Sequence, residues 1–351
     1  MPAQGYSAVA GDVNLDGRPD IYVASYNHYG LVMPNSWHQA TNGTPNLLFI
    51  NQGGNRFAEQ AAQWGVADNR WSYAAQIADL NEDGRPDLYL ANDFGEKAFY
   101  LNDGTRFRDV AAERGMLDPG NGMGLLLGDF DNDGDLDLHI TNMSSTAGNR
   151  IIKRLFPEAT TQREDTRVLN KLAAGNTLFR NLGGGNYEDV SAAMGPFPAN
   201  WAWGGGGVHR HRQRRLGGSP HPQRLHHRQV AERHLKPVLA PRAGVYRGNG
   251  AGHYHLGKIF SEGFSFSGFE RDKLFLNNQG QKYIEVSGLS GLDSVSDGRG
   301  AAYGDFDNDG DLDVFLTTLQ GQIHYLFRNN VGQENHFVRV SLEGRASGQD
   351  A

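Results

Sequence analysis

The chain has no cysteine among its 351 residues. No disulfide can hold it together, which fits a reducing interior and a metal-stabilised secreted protein equally well. It has no apolar run long enough to cross a bilayer as a helix. It also has no excess of basic charge. The formal net charge of −7 argues against nucleic acid as the partner. The opening MPAQGYSAVAGD has neither the basic start nor the apolar core of a signal peptide and enters a strand pattern almost at once. The expectation is that the natural N-terminus lies upstream. Catalytic signatures are missing as well: there is no GxSxG and no HExxH. Gly252-His-Tyr-His-Leu-Gly257-Lys258 matches the first part of a phosphate-binding loop, but continues with Ile259 in place of Ser or Thr and has no strand-to-helix context. It reads as a chance match. What the chain does have is glycine, 47 residues of it, between many short strand-like runs, which favours an all-β architecture.

The acidic residues are not scattered. Asp129, Asp131, Asp133 and Asp137 fall at positions 1, 3, 5 and 9 of a short loop, with Gly134 at position 6. The same frame recurs as Asp12, Asn14, Asp16, Gly17, Asp20; as Asp79, Asn81, Asp83, Gly84, Asp87; and as Asp305, Asp307, Asp309, Gly310, Asp313. Ca²⁺ takes six to eight hard oxygen ligands, and alternate carboxylates in a tight turn can converge on one ion. Position 7, here Arg18, Arg85, Asp135 and Asp311, would supply its backbone carbonyl. Glycine at position 6 permits the sharp turn. One copy would read equally well as a solvated acidic turn; four copies with Gly at one place favour metal loops. The Asp129 and Asp305 loops offer four side-chain carboxylates, whereas Asn14 and Asn81 reduce the other two to three. Tighter Ca²⁺ binding is therefore expected at Asp129 and Asp305.

An EF-hand loop ends in a bidentate Glu at position 12 and enters a helix. Here position 12 is Val23, Leu90, Ile140 and Leu316, within runs such as Ile21-Tyr-Val and Leu88-Tyr-Leu. These are β-branched or aromatic strand residues. Strand-like residues also precede each loop, so each loop joins two strands. A second element accompanies it: Asn46-Leu-Leu-Phe-Ile-Asn51 to Phe57, Ala98-Phe-Tyr-Leu-Asn102 to Phe107, Asn176-Thr-Leu-Phe-Arg-Asn181 to Tyr187, and Lys273-Leu-Phe-Leu-Asn277 to Tyr283. Each reads as a hairpin whose Gly/Asn turn supplies positive φ. Tyr325-Leu-Phe-Arg-Asn329 begins a fifth. The unit is strand, acidic loop, strand, insert, hairpin. Four strands per repeat point to a β-propeller of four-stranded blades with Ca²⁺-binding inter-strand loops, about seven blades in the intact protein. Inserts at Tyr26–Thr44 and Ser144–Ala174 would lie on one face, and Arg150–Arg167 is read as a short helix or a solvated loop.

These loops and N-x-L-F-x-N hairpins resemble the FG-GAP/VCBS repeats of integrin-type β-propellers. The stretch Phe264-Ser-Phe-Ser-Gly-Phe-Glu-Arg-Asp-Lys-Leu-Phe and the tail Asn335-His-Phe-Val-Arg-Val-Ser-Leu-Glu-Gly resemble the bacterial cartilage acidic protein/UnbV group. That resemblance implies a propeller over residues 1–334 and, at 335–351, the truncated start of an ASPIC/UnbV-like module. A fold does not fix an activity.

Asn42-Gly-Thr44 and Asn142-Met-Ser144 match glycosylation sequons, patterns short enough to arise by chance. Trp201 and Trp203 read as strand residues of a fourth blade, with carbohydrate stacking as the lesser alternative. Residues 208–255 break the pattern: from His209 to His255 there are eight His, nine Arg and one acid, Glu232. A basic insert, a metal site or an RNA-binding patch are the direct readings. The repeat, however, calls for an acidic loop here. Sliding the codons of the segment after Val208 forward by one base permits Asp-Ile-Asp-Asn-Asp-Gly-Trp-Glu-Asp, the missing loop. The expectation is a shifted reading frame that returns before about Phe264. Source DNA that cannot spell the loop in that frame would refute it.

The function expected from the sequence is a non-catalytic, Ca²⁺-binding propeller, monomeric and extracellular, on the cell surface or periplasmic. It would bind a protein or glycan ligand, with no nucleic acid and no membrane span. The alternatives are a propeller-scaffold enzyme acting on polysaccharide or phosphoester and a structural accessory domain.

Overall fold

The computed structural model describes residues 5–26, 32–145, 164–195, 271–278, 280–295, 298–318 and 324–330. Trp201, Trp203, residues 208–255, residues 264–270 of the Phe264 stretch, the tail from Asn335 and the phosphate-loop match all lie outside them. Two compact units divide the chain: one holds residues 1–217, 275–285 and 338–351, the other 218–274 and 286–337.

The first unit contains three complete antiparallel sheets, each running in chain order from first strand to fourth. They are β1 Gly5–Gly11, β2 Asp20–Ser25, β3 Leu47–Asn51 and β4 Phe57–Glu59; β5 Ser72–Ala78, β6 Asp87–Asn92, β7 Ala98–Asn102 and β8 Phe107–Asp109; and β9 Gly122–Gly128, β10 Asp137–Asn142, β11 Thr177–Asn181 and β12 Tyr187–Asp189. A two-stranded hairpin follows, β13 Phe275–Asn278 and β14 Lys282–Glu285. The second unit holds a three-stranded sheet of the same order, β15 Gly298–Gly304, β16 Asp313–Thr318 and β17 Tyr325–Phe327. These are β-propeller blades. Every acidic loop joins the first strand of a blade to the second, with the last glycine or alanine before the loop paired to position 9: Gly11 to Asp20, Ala78 to Asp87, Gly128 to Asp137, Gly304 to Asp313.

The period of two explains how the blades stack. Along β6, Leu88 and Leu90 enter one apolar core with Tyr22, Leu48, Ile50 and Tyr100. Tyr89 and Ala91 enter another with Phe99, Leu138, Ile140 and Phe179. A strand sandwiched between two sheets is apolar at every position in between, which is why β6 is buried throughout. The tyrosines keep their hydroxyls satisfied: Tyr22 donates to Val66 O at 3.0 Å and Tyr89 to Met116 O at 3.0 Å. First strands are poor in bulk because they pack on one another, β1 on β5 and β5 on β9. A Cβ on Gly11 would sit 2.7 Å from Ile77 Cγ2.

A short helical turn follows the fourth strand in several blades: α1 Ala61–Trp64, then, past the 11-residue α2 Glu164–Ala174, α3 Ser191–Met194 and α4 Ser287–Ser290. Sequence reading passed over these turns, although Ala-Ala-x-x-Gly was visible at Ala61–Gly65 and Ala111–Gly115. Gly115 (φ 75°) tolerates no side chain, since a Cβ there would meet Tyr187 O at 2.3 Å. Of the stretch Arg150–Arg167, expected as a short helix or a solvated loop, residues 150–163 lie outside the described residues and the remainder opens α2. Its Lys171 reaches Asp189 at 2.5 Å.

Candidate metal loops

The four loops share one backbone. Position 4 is left-handed in each, at Leu15 (φ 56°), Glu82 (63°), Asn132 (68°) and Asn308 (59°), and so is the position-6 glycine, with φ between 83° and 106°. A Cβ at Gly17, Gly84 or Gly134 would meet nothing within 4 Å, so it is conformation, not space, that requires glycine there. The two bends fold the loop back over its first carboxylate. Asp12 accepts the Asp16 and Gly17 N–H groups at 2.9 and 2.7 Å. Asp79 accepts those of Asp83 and Gly84 at 3.1 and 2.8 Å, and Asp305 those of Asp309 and Gly310 at 3.0 and 3.2 Å. Asp129 accepts Asn132 N–H at 2.7 Å.

Position 9 has a second task. Asp20, Asp87, Asp137 and Asp313 are all buried. One oxygen of each accepts the position-2 N–H, from Val13, Leu80, Phe130 and Phe306 at 2.8–3.1 Å. The other accepts the N–H of the third-strand asparagine or the residue in its place, Asn51, Asn102, Asn181 and Asn329, at 2.8–2.9 Å. The carboxylate therefore ties loop to blade by hydrogen bonds alone. Burial pushes Asp87 up to about 7 and Asp137 up to about 6, against these same hydrogen bonds; Asp20 is raised for the same reason. In the third-strand asparagines Oδ1 caps the hairpin turn, as Asn51 does for Gly53 N–H and Asn181 for Gly183 N–H, both at 2.9 Å.

At positions 3, 5 and 7 the loops separate into two kinds. In the first two, the position-7 arginine turns onto the position-5 aspartate. Arg18 Nη2 bonds Asp16 Oδ2, and Arg85 Nη2 lies 2.5 Å from Asp83 Oδ2. Asn14 and Asn81 also donate to those aspartates. In the other two, position 7 is Asp135 or Asp311, and carboxylates gather: oxygens of Asp129, Asp131 and Asp137 lie within 4.8 Å of one another, as do those of Asp305, Asp307 and Asp309. Asp131 Oδ1 is buried without a hydrogen-bond partner. Burial, and next Asp133, raise the Asp131 carboxyl above its usual range. Glu82 of the second loop faces Asp135 of the third, and that like charge raises it. Of the aspartates expected at these two sites, Asp133, Asp135, Asp311 and Asp313 fall outside the two converged groups.

A family model for FG-GAP-like repeats matches residues 12–90 and 79–140. Residues 12–140 carry FG-GAP-like repeats. The match opens on Asp12, the first residue of the first loop, and closes on Ile140, in the strand after the third. No curated protein matches the chain. The matched residues thus run from the first acidic loop through β2–β9 and end within β10.

Sequence reading missed a second set of aspartates, in the links that follow the short turns of the repeat. Asp68 is held by Arg70 at 2.5 Å and by the Tyr100 hydroxyl at 2.8 Å; Asp293 is held by Arg271 at 2.5 Å. Asp118 lies 4.0 Å from Lys97 Nζ, both fully buried, and Lys97 also donates to Gly120 O. Burial lowers Lys97 to about 8. Burial would raise Asp118, but Lys97, Lys171, Gly120 N–H and Asn142 outweigh it and hold it at about 2. Asp93, raised to about 6 by burial, accepts the Tyr26 hydroxyl at 2.5 Å. The Gly-x-x-Asp that follows two of the turns, Gly65 to Asp68 and Gly115 to Asp118, was the available signal. Asn142, in one of the sequons, is buried and donates to Asp118 at 2.9 Å and Thr177 at 3.0 Å, a core residue and not a glycan acceptor.

Proposed function

We propose that this protein is a Ca²⁺-stiffened binding module, non-catalytic and acting outside the cell, whose propeller presents loops to a protein or glycan. The observation that carries the cation reading is the Asp129 loop. Three carboxylates converge there and the buried Asp131 Oδ1 has no partner, an arrangement that like charges would push apart and a hard divalent cation would draw together. Asp129, Asp131 and Asp137 would hold the ion, as would Asp305, Asp307 and Asp309. Bound Ca²⁺ would supply charge neutralisation and rigidity. The Asp12 and Asp79 loops fit less well as they stand, because the loop's own position-7 arginine lies on the position-5 aspartate; at the Asp305 loop the guanidinium comes from outside the loop, Arg328 reaching Asp307 at 2.8 Å and Asp309 at 3.7 Å. An extracellular or periplasmic setting suits such sites, and the resemblance of the Phe264 stretch and the Asn335 tail to the cartilage acidic protein/UnbV group supports the same setting. Of the perturbed groups outside the loops, Asp93 and Lys97 are shifted by burial, against the Tyr26 and Asp118 contacts, and His139 is lowered to about 4 by burial.

Calorimetric titration with Ca²⁺, paired with thermal melts in Ca²⁺ and in chelator, tests the reading. Ca²⁺ should bind and raise the melting temperature by mass action. No heat of binding and superimposable melts would end it. A glycan and protein array run with and without chelator then addresses the ligand.

A further inference from the structure

We propose that each acidic loop is set by the outer hairpin of the blade that follows it, so that an ion in one loop tightens the next blade. This rests on the cation reading above and adds a direction to it. The position-2 carbonyl of each loop in the first unit accepts from the following blade. Val13 O takes Asn102 Nδ2 at 2.8 Å, Leu80 O takes the Tyr187 hydroxyl at 3.2 Å, and Phe130 O takes Asn277 Nδ2 at 2.7 Å. Position 3, whose side chain is a candidate ligand, lies under the turn of that same hairpin. A Cβ on Gly185 (φ 75°) would come 2.8 Å from Asn81 Cβ, and one on Gly280 (φ 71°) 2.8 Å from Asp131 Cα. Only a glycine passes so close.

Each loop is therefore held at two places. Position 9 ties it to its own third strand, and positions 2 and 3 rest on the next hairpin. An ion that fixes position 3 fixes the surface on which the next hairpin sits. By linkage, a hairpin held in place must favour the ion by the same factor. The case is sharpest at β13–β14. Among the described residues that sheet consists of the hairpin alone, and both Asn277 and Gly280 set it against Phe130 and Asp131.

Hydrogen exchange of the full chain, read by mass spectrometry in Ca²⁺ and in chelator, tests this without any variant. Removing Ca²⁺ should speed exchange at 275–285, which rests on the Asp129 loop, more than at 98–109, which rests on the arginine-closed Asp12 loop, and Asp129→Asn in saturating Ca²⁺ should speed 275–285 more than 177–189, the hairpin of its own blade. Asn277→Ala and the near-isosteric Asn277→Asp should each weaken Ca²⁺ uptake by the Asp129 loop several-fold and leave the Asp12 loop unchanged. If Ca²⁺ binds but 275–285 keeps its exchange rate, or both Asn277 variants titrate like the parent, the coupling is wrong while the cation reading stands. If the parent takes up no Ca²⁺, both fall.

Discussion

The loops at Asp12 and Asp79 and the loops at Asp129 and Asp305 have the same fold and opposite ways of handling charge. In the first pair an arginine at position 7 lies on the position-5 aspartate, and the strand residue just before the hairpin asparagine is apolar, Ile50 or Leu101. In the second pair position 7 is aspartate, and that strand residue is Arg180 or Arg328. Arg328 Nε reaches Asp307 at 2.8 Å, and Arg180 lies close enough to Asp131 to oppose its rise. Every loop has one guanidinium beside it. What changes is whether that cation is built into the loop, closing it, or stands on the strand beside a loop left open. In the first pair the guanidinium is part of the loop itself; in the second it comes from outside, so that no position-7 arginine lies on the position-5 aspartate.

The largest expected effect is one the two kinds of loop share. Replacing the position-9 carboxylate strips two buried N–H groups of their acceptor at once. Asp87→Ala and Asp137→Ala should each cost on the order of 3–5 kcal/mol in denaturant unfolding, in Ca²⁺ and in chelator alike. A loss under about 1 kcal/mol in either variant would mean that position 9 is held mainly as a metal ligand.

Next comes pH. Asp87 and Asp137 are raised to about 7 and about 6 by burial, so the folded chain favours their protonated forms. The stability they contribute is complete below the unfolded value, near 4, and is lost as pH rises through 6 to 7. Metal-free protein should therefore weaken between pH 5 and 8. Because Ca²⁺ competes with protons for the same loops, its stabilising effect should be larger at pH 8 than at pH 5. A chelated protein whose melting temperature holds steady or climbs across that interval would contradict this.

A direct exchange at position 7 is expected to do less. Asp135→Arg should close the third loop and reduce the melting-temperature loss that chelator causes, while Arg85→Asp should open the second and increase it. These pairs are partly exposed, so the difference should be about 1 kcal/mol. Identical chelator responses in both variants and the parent would show that position 7 does not set the class.

Much of this was legible because the repeat writes itself out. The loop frame, the glycine at position 6 and the strand pattern on either side appear four times in the sequence, and repetition located the blades without any single strong signal. Less legible was what depends on contacts distant in the chain. Position 9 looked like a fourth ligand, and nothing in Asp137 itself reveals that it serves two N–H groups, one of them from Asn181. The link aspartates Asp68 and Asp118 share a Gly-x-x-Asp spacing, but their pairing was not legible because their cations come from different places, Arg70 two residues on and Lys97 next to a neighbouring strand. Arginine at position 7 was read as a carbonyl donor, and its side chain became informative only when seen lying on Asp16 or Asp83.

The smallest effect concerns the strand arginines and separates stability from affinity. Arg328 is more than half exposed, and its bond to Asp307 is a surface pair, so Arg328→Ala should change unfolding by less than about 1 kcal/mol. Its effect on the ion should run the other way. The guanidinium draws on a carboxylate that converges with Asp305 and Asp309 and adds positive charge where a cation would sit. Removing it frees Asp307 and lowers the local potential against a second cation, so the Asp305 loop should bind Ca²⁺ a few-fold more tightly. The gain should shrink in high salt as the charge is screened. Arg180→Ala should act in the same direction on the Asp129 loop. Titration of the two variants at low and high ionic strength checks the sign. Weaker binding in either would mean that the arginine holds its aspartates in place for the ion and does not compete with it.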